Sequence, residues 1–188
     1  DRLPPAQPHL PRIALDDHTD VGRPWSGWLE KVRSPAKVDP QADWPFNLIY
    51  SSGTTGVPKG ILQPFGMRWT QIERARDNGY GPDTVCLNST PLYSNTTLVS
   101  LIPTLALGGT VVLMHKFDVR GYLELAQKHR VTHTMLVPVQ YQRLMDFPEF
   151  DRYDLSHFQA KFCTSAPFRA DLKRDILQRW PGTLIEYY

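Results

Sequence analysis

Beyond residue 45 the hydrophobic positions of this chain fall into short dense runs separated by longer amphipathic stretches. Residues 46–52 form one apolar run, and residues 60–63 a second, shorter one across a Gly/Thr-rich loop. Four further runs, at 84–89, 110–115, 132–137 and 160–164, are rich in β-branched and aromatic residues and alternate little. That is how strands buried on both faces read. A last run at 183–188 reads as another strand. Between these runs, apolar residues recur at helical spacing over 65–78, 97–107, 119–129, 138–145 and 170–180. Several helix boundaries carry their own signals. Gly108-Gly109 and Pro181-Gly182 stop helices, Asp118 is placed as an N-cap, and Pro138 stands at a helix entry. Strands and helices that alternate this regularly predict an α/β fold, with a mostly parallel sheet and helices on both faces. Sites in such folds lie at the carboxyl ends of the strands.

The first 45 residues break this rhythm. They hold eight of the 17 prolines, together with Trp25, Trp28 and Trp44. Proline lacks a backbone donor and restricts the residue before it, so long regular elements are excluded. One short helix over 25–32 is the exception. Residues 1–45 read as a connector on the surface of a larger domain with tryptophan anchors, and residues 46–188 as a partial α/β unit.

A net charge of +2, with no run of like charges, gives no reason to expect nucleic acid or an anionic membrane as partner. No apolar stretch is long enough to span a membrane, and the first residues do not read as a signal peptide. Cys86 and Cys163 read as buried free thiols, which suits a reducing cytoplasm. The histidines show no metal-ligand spacing; His133 reads as a strand residue near a crevice. Arg68, Arg74 and Arg76 share one expected helix and read as its solvated face.

The chemistry concentrates in Tyr50-Ser51-Ser52-Gly53-Thr54-Thr55-Gly56-Val57-Pro58-Lys59-Gly60. Its glycines let backbone N–H groups approach a ligand. Its hydroxyls are donors that rotate to suit phosphate oxygens, and Lys59 adds a compact positive charge. The string could wrap a polyphosphate. It is not the common P-loop, which needs Gly-Lys-Ser/Thr running into a helix; Pro58 and Gly60 flank the lysine here, so a loop between two strands is expected.

This string resembles the signature loop of the AMP-forming acyl-CoA synthetases, peptide-synthetase adenylation domains and luciferases. Other motifs match in order: Pro91-Leu92-Tyr93 is similar to a Pro-Leu-aromatic-His element, Thr164-Ser165-Ala166-Pro167 to a small-residue turn beside adenine, and Glu186-Tyr187-Tyr188 to the start of Tyr-Gly-x-Thr-Glu. The resemblance implies part of the large N-terminal domain of an adenylate-forming enzyme, one that activates a fatty or aryl acid with ATP and passes it to coenzyme A. It implies that Ser51, Ser52, Gly53, Thr54, Thr55, Gly56 and Lys59 hold the ATP phosphates with Mg2+, although no metal ligand is expected within these residues. It implies adenine contacts from Ala166, Glu186, Tyr187 and Tyr188.

The pattern is departed from at two positions. Ser94 stands where many relatives have His, and Tyr187 where relatives that take planar aromatic acids have Gly. The expectation is an acyl pocket shaped by Ser94, Asn95, Thr96 and Tyr187. The remaining family motifs do not follow Tyr188, so the expectation is an internal fragment with little activity alone, which needs the remainder of its own domains as partner. Two other readings stay open: a luciferase-like oxidoreductase that shares the adenylation step, and a non-catalytic nucleotide-binding module.

Overall fold

The computed structural model describes residues 13–14, 22–29, 37–51 and 58–187. The chain divides into two compact units, residues 1–39 and 40–188. In the first, β1 (Ile13–Ala14) pairs in parallel with β2 (Arg23–Pro24), and α1 (Trp25–Leu29) follows directly.

The second unit opens with an antiparallel hairpin, β3 (Pro45–Ser51) and β4 (Lys59–Pro64), which runs into α2 (Phe65–Asp77). Five strands then build one parallel sheet: β5 (Val85–Asn88), β6 (Thr110–Leu113), β7 (His133–Leu136), β8 (Ala160–Cys163) and β9 (Thr183–Glu186), in the order β6-β5-β7-β8-β9. The links between successive strands are α3 (Asn95–Ala106), α4 (Val119–Lys128), α5 (Pro138–Met145) and α6 (Ala170–Arg179). After β6 the chain crosses back over β5, so the strand order reverses between β5 and β7. A crevice forms at the carboxyl ends beside such a reversal.

The expected alternation is present, and both faces of the sheet are covered. One core gathers Leu87, Leu136 and Cys163 of the sheet with Tyr122, Leu144 and Ile176 of α4, α5 and α6. The other gathers Met135, Ala160 and Phe162 with Ile72 and Ala75 of α2, and with Leu107 just past α3. β7 and β8 are buried throughout, as their dense runs with little alternation predict, and they take the polar His133, Thr134 and Lys161 inside with them. β6 departs from that expectation: it is an edge strand among the described residues, and its Thr110 and Leu113 are exposed. Both cysteines are free and buried. Among the described residues no helix is long and apolar enough to cross a membrane.

Local signals explain the boundaries. Gly108 has φ +82 after the C-cap of α3, a conformation that costs glycine little. Asp118 caps α4 by accepting a 2.7 Å hydrogen bond from the Gly121 backbone N–H at Oδ1. Asp118→Ala should therefore cost about 1 kcal/mol, read from the denaturant midpoint; an unchanged midpoint would show that water replaces the cap. His133 lies in β7 but is fully buried. Its Nδ1 is 2.8 Å from Thr132 Oγ1 and its Nε2 3.1 Å from the Asn78 carbonyl, so it does not line the crevice. Burial holds its pKa below the usual value, with the Asn78 carbonyl opposing that shift.

Candidate functional site

The hairpin register sets Ser51 opposite Lys59 across two antiparallel strands. Ser52, Gly53, Thr54, Thr55 and Gly56 lie outside the described residues. Lys59 is exposed at the foot of the loop.

A cavity of about 360 Å³ opens at the carboxyl ends of the sheet strands, between them and helices α2 and α3. Its lining includes Asn95, Thr96 and Tyr187, three of the four residues expected to shape an acyl pocket. The fourth, Ser94, is the N-cap of α3, and its carbonyl accepts from the Thr97 and Leu98 N–H groups. It is not among the lining residues.

Tyr187 is held by its N–H, which donates to the Cys163 carbonyl at 2.8 Å, and by its ring, which stacks on Phe162 at 5.5 Å. The ring remains 39% exposed and forms one wall of the cavity. Burial raises the pKa of its hydroxyl, while the charge of Arg74 acts the other way. Thr96 Oγ1 lies 3.3 Å from Ser165 Oγ, which joins the start of α3 to the loop after β8. Ser165 has φ 77, a strained left-handed conformation of the kind that clusters at functional sites.

A neighbouring cavity of about 310 Å³ is lined by Thr164, Ser165, Ala166, Pro167 and Tyr187. Ala166 is exposed there rather than packed in the core. Glu186 forms an ion pair with Lys173 at 2.5 Å, and Tyr188 lies outside the described residues. Among the described residues no three His, Cys, Asp or Glu side chains gather as metal ligands.

Arg68 corrects the reading of α2. It is only 2% exposed, whereas Arg74 and Arg76 are on the solvated side. Its guanidinium donates to Gln71 Oε1 at 2.8 Å, to Asn47 Oδ1 and Asn95 Oδ1 at 3.1 Å each, and to Gln63 Oε1. It lies 5.7 Å from the centre of the Phe46 ring, and burial lowers its pKa. One side chain thus ties both hairpin strands to α2 and to the start of α3.

Residues 4–188 match the family described as AMP-binding enzyme. The chain belongs to that family. It is 34% identical over 134 residues to feruloyl-CoA synthase of an Amycolatopsis species, covering 70% of this chain and 27% of that protein. It is 35% identical over 155 residues to 4-coumarate–CoA ligase 3 of Arabidopsis thaliana, covering 79% and 28%. The ATP-bound crystal structure of MatB from Rhodopseudomonas palustris superposes with a TM-score of 0.71 at 29% identity, over 81% of this chain and 30% of that one. The chain therefore spans little more than a quarter of the length of these curated relatives.

For an AMP-binding enzyme, motif reading locates the loop, the turn after β8 and the end of β9. The motifs do not include Gln71 or Arg74, which α2 contributes to the cavity lining, or Arg68, which engages Gln71. A signal for Arg68 existed: it stands four residues before Ile72 and seven before Ala75, both buried on α2. Helical spacing puts all three on one face.

Proposed function

We propose that the protein carrying this chain is an AMP-forming acid–thiol ligase. A carboxylate oxygen attacks the α-phosphorus of ATP, the bond to the β-phosphate breaks, and acyl-adenylate and pyrophosphate form. The thiol of coenzyme A then attacks the acyl carbon; AMP leaves and the thiol proton passes to solvent. The observation that carries this reading is the antiparallel pairing of Ser51 with Lys59, near the two ends of a glycine- and hydroxyl-rich string, in a chain of the AMP-binding enzyme family.

In this reading Ser51, Ser52, Gly53, Thr54, Thr55, Gly56 and Lys59 surround the β- and γ-phosphates, and Lys59 offsets their charge. The hydroxyl oxygens of the loop are hard donors that suit magnesium carried on the nucleotide; when bound, that ion neutralises phosphate charge. Ala166, Glu186, Tyr187 and Tyr188 border adenine, and Asn95, Thr96 and Tyr187 border the acid. The acid is fatty or aryl, and the feruloyl and coumarate relatives favour aryl. A reducing cytoplasm suits the two buried thiols.

The test is acid-dependent ATP–pyrophosphate exchange by the full-length protein across short, long and aromatic acids. Exchange with one class supports adenylation and identifies that class; no exchange with any acid, while ATP still binds, would overturn it. Tyr187→Gly removes a ring that walls the cavity. It should raise kcat/KM for planar aromatic acids over short acids by roughly tenfold, in the range set by a change of pocket shape. An unchanged preference would take Tyr187 out of the acyl pocket.

A further inference from the structure

An amide side chain carries both an acceptor and a donor, so Asn and Gln in a pocket are normally ambiguous readers. Around Arg68 the ambiguity is removed. Its guanidinium has only donors, and it engages the oxygen of Asn95 at 3.1 Å and the oxygen of Gln71 at 2.8 Å. The Gln63 amide nitrogen, 3.4 Å from the same Asn95 oxygen, holds it from a second side. Flipping either amide would set NH2 against a buried cation. Asn95 and Gln71 therefore keep their oxygens on Arg68, and Nδ2 and Nε2 are what remain to be offered elsewhere. Both residues line the 360 Å³ cavity, and Arg74 contributes a guanidinium to its wall. Among the described residues the lining contains no carboxylate. Arg68 itself makes no contact with a carboxylate among the described residues, and its Nε has no partner there. The described lining thus presents the two amide donors and the Arg74 charge beside hydroxyls that can rotate to donate.

We infer that this cavity selects acids whose acyl part bears a second anionic group, such as a distal carboxylate, and that Arg68 is the positioning residue that turns Asn95 and Gln71 into donors toward it. The inference rests on the adenylation reading above and names the substrate class of that same pocket. A distal carboxylate would accept from Asn95 Nδ2 and Gln71 Nε2 and lie near Arg74. A methyl-ended acid of equal length would leave those donors unpaired as it displaced water from them.

The experiment is ATP–pyrophosphate exchange by the full-length protein with matched pairs: adipate against hexanoate, and 4-carboxycinnamate against 4-methylcinnamate. The expected result is a preference in kcat/KM of at least about tenfold for the diacid of a pair, because a site built to hydrogen-bond a group rejects the analogue that lacks it. Asn95→Asp is the decisive variant. It gives buried Arg68 a countercharge, so the fold is retained, and it puts an acceptor where the donor stood. It should abolish or reverse the preference while KM for ATP stays unchanged. Arg68→Met should weaken the preference by freeing both amides to flip. Equal or better exchange with methyl-ended acids would overturn the inference and leave adenylation standing, as would Asn95→Asp with the preference intact. No exchange with any acid would overturn the adenylation reading and this inference with it.

Discussion

Lys59→Ala is expected to lower acid-dependent ATP–pyrophosphate exchange by about 100-fold, with the thermal transition unmoved, because the role proposed for Lys59 is to offset phosphate charge and its exposed side chain carries no packing. Lys59 is exposed at the first position of β4, directly across from Ser51, so its stem supports no core. In the proposed reaction the bridging oxygen between the α- and β-phosphates takes up negative charge as it leaves. In the proposed site, the Lys59 ammonium beside the departing pyrophosphate would offset that charge more in the transition state than in bound ATP. A hundredfold loss corresponds to about 2.7 kcal/mol of transition-state stabilisation. Lys59→Arg keeps the charge but not the compact point geometry, and should recover only part of the rate. Exchange within threefold of the wild type for Lys59→Ala would show that the loop backbone and magnesium carry the phosphates without it.

The elements that were legible in the sequence are those with one rule each. β7 and β8 come from short dense runs that alternate little, and they are buried throughout; α4 and α5 begin where Asp118 and Pro138 say they should; Ser51 and Lys59, near the two ends of the Tyr50–Gly60 string, pair across two strands, as Pro58 and Gly60 disfavour a helix there. What was not legible needed two elements at once. β6 has the composition of a central strand, and only the pairing order puts it at an edge. The burial of Arg68 follows from its spacing to Ile72 and Ala75, but a buried arginine makes sense only once Asn47, Gln63 and Asn95 from three other elements supply acceptors. Ser94 stands next to Asn95 in sequence, yet only Asn95 lines the cavity; Ser94 is the N-cap of α3.

Lys161 carries the largest stability prediction, and by the same logic of partners supplied from elsewhere. It lies in the middle of β8, fully buried, in a run that otherwise reads as apolar. Its ammonium donates to the carbonyls of Trp180, Pro181 and Gly182 at 3.1, 2.5 and 2.7 Å. Those oxygens belong to the turn that ends α6, where the helix dipole adds negative potential, and Gly182 adopts φ +91 to make the turn. Methionine in place of Lys161 would fill similar space but could donate to none of the three. Removing one member of a buried polar set is the costly case, since the acceptors stay behind without water. Lys161→Met should therefore destabilise the unit by about 3 kcal/mol, lowering its transition by about 10 °C in a domain of this size.

The pH dependence separates this account from simple loss of packing. Burial pushes the pKa of Lys161 down to about 8, below the ordinary lysine value of 10.5. Between those values the unfolded chain binds the proton more tightly than the folded one, so stability rises with pH across that window and is flat below it. Only the wild type has this proton to release. Its stability advantage over Lys161→Met, measured by calorimetry on the full-length protein, should widen as the pH is raised from 8 toward 10.5. A gap that stays constant would mean that the three carbonyls hold the ammonium at its ordinary pKa, with the charge fully compensated in the fold.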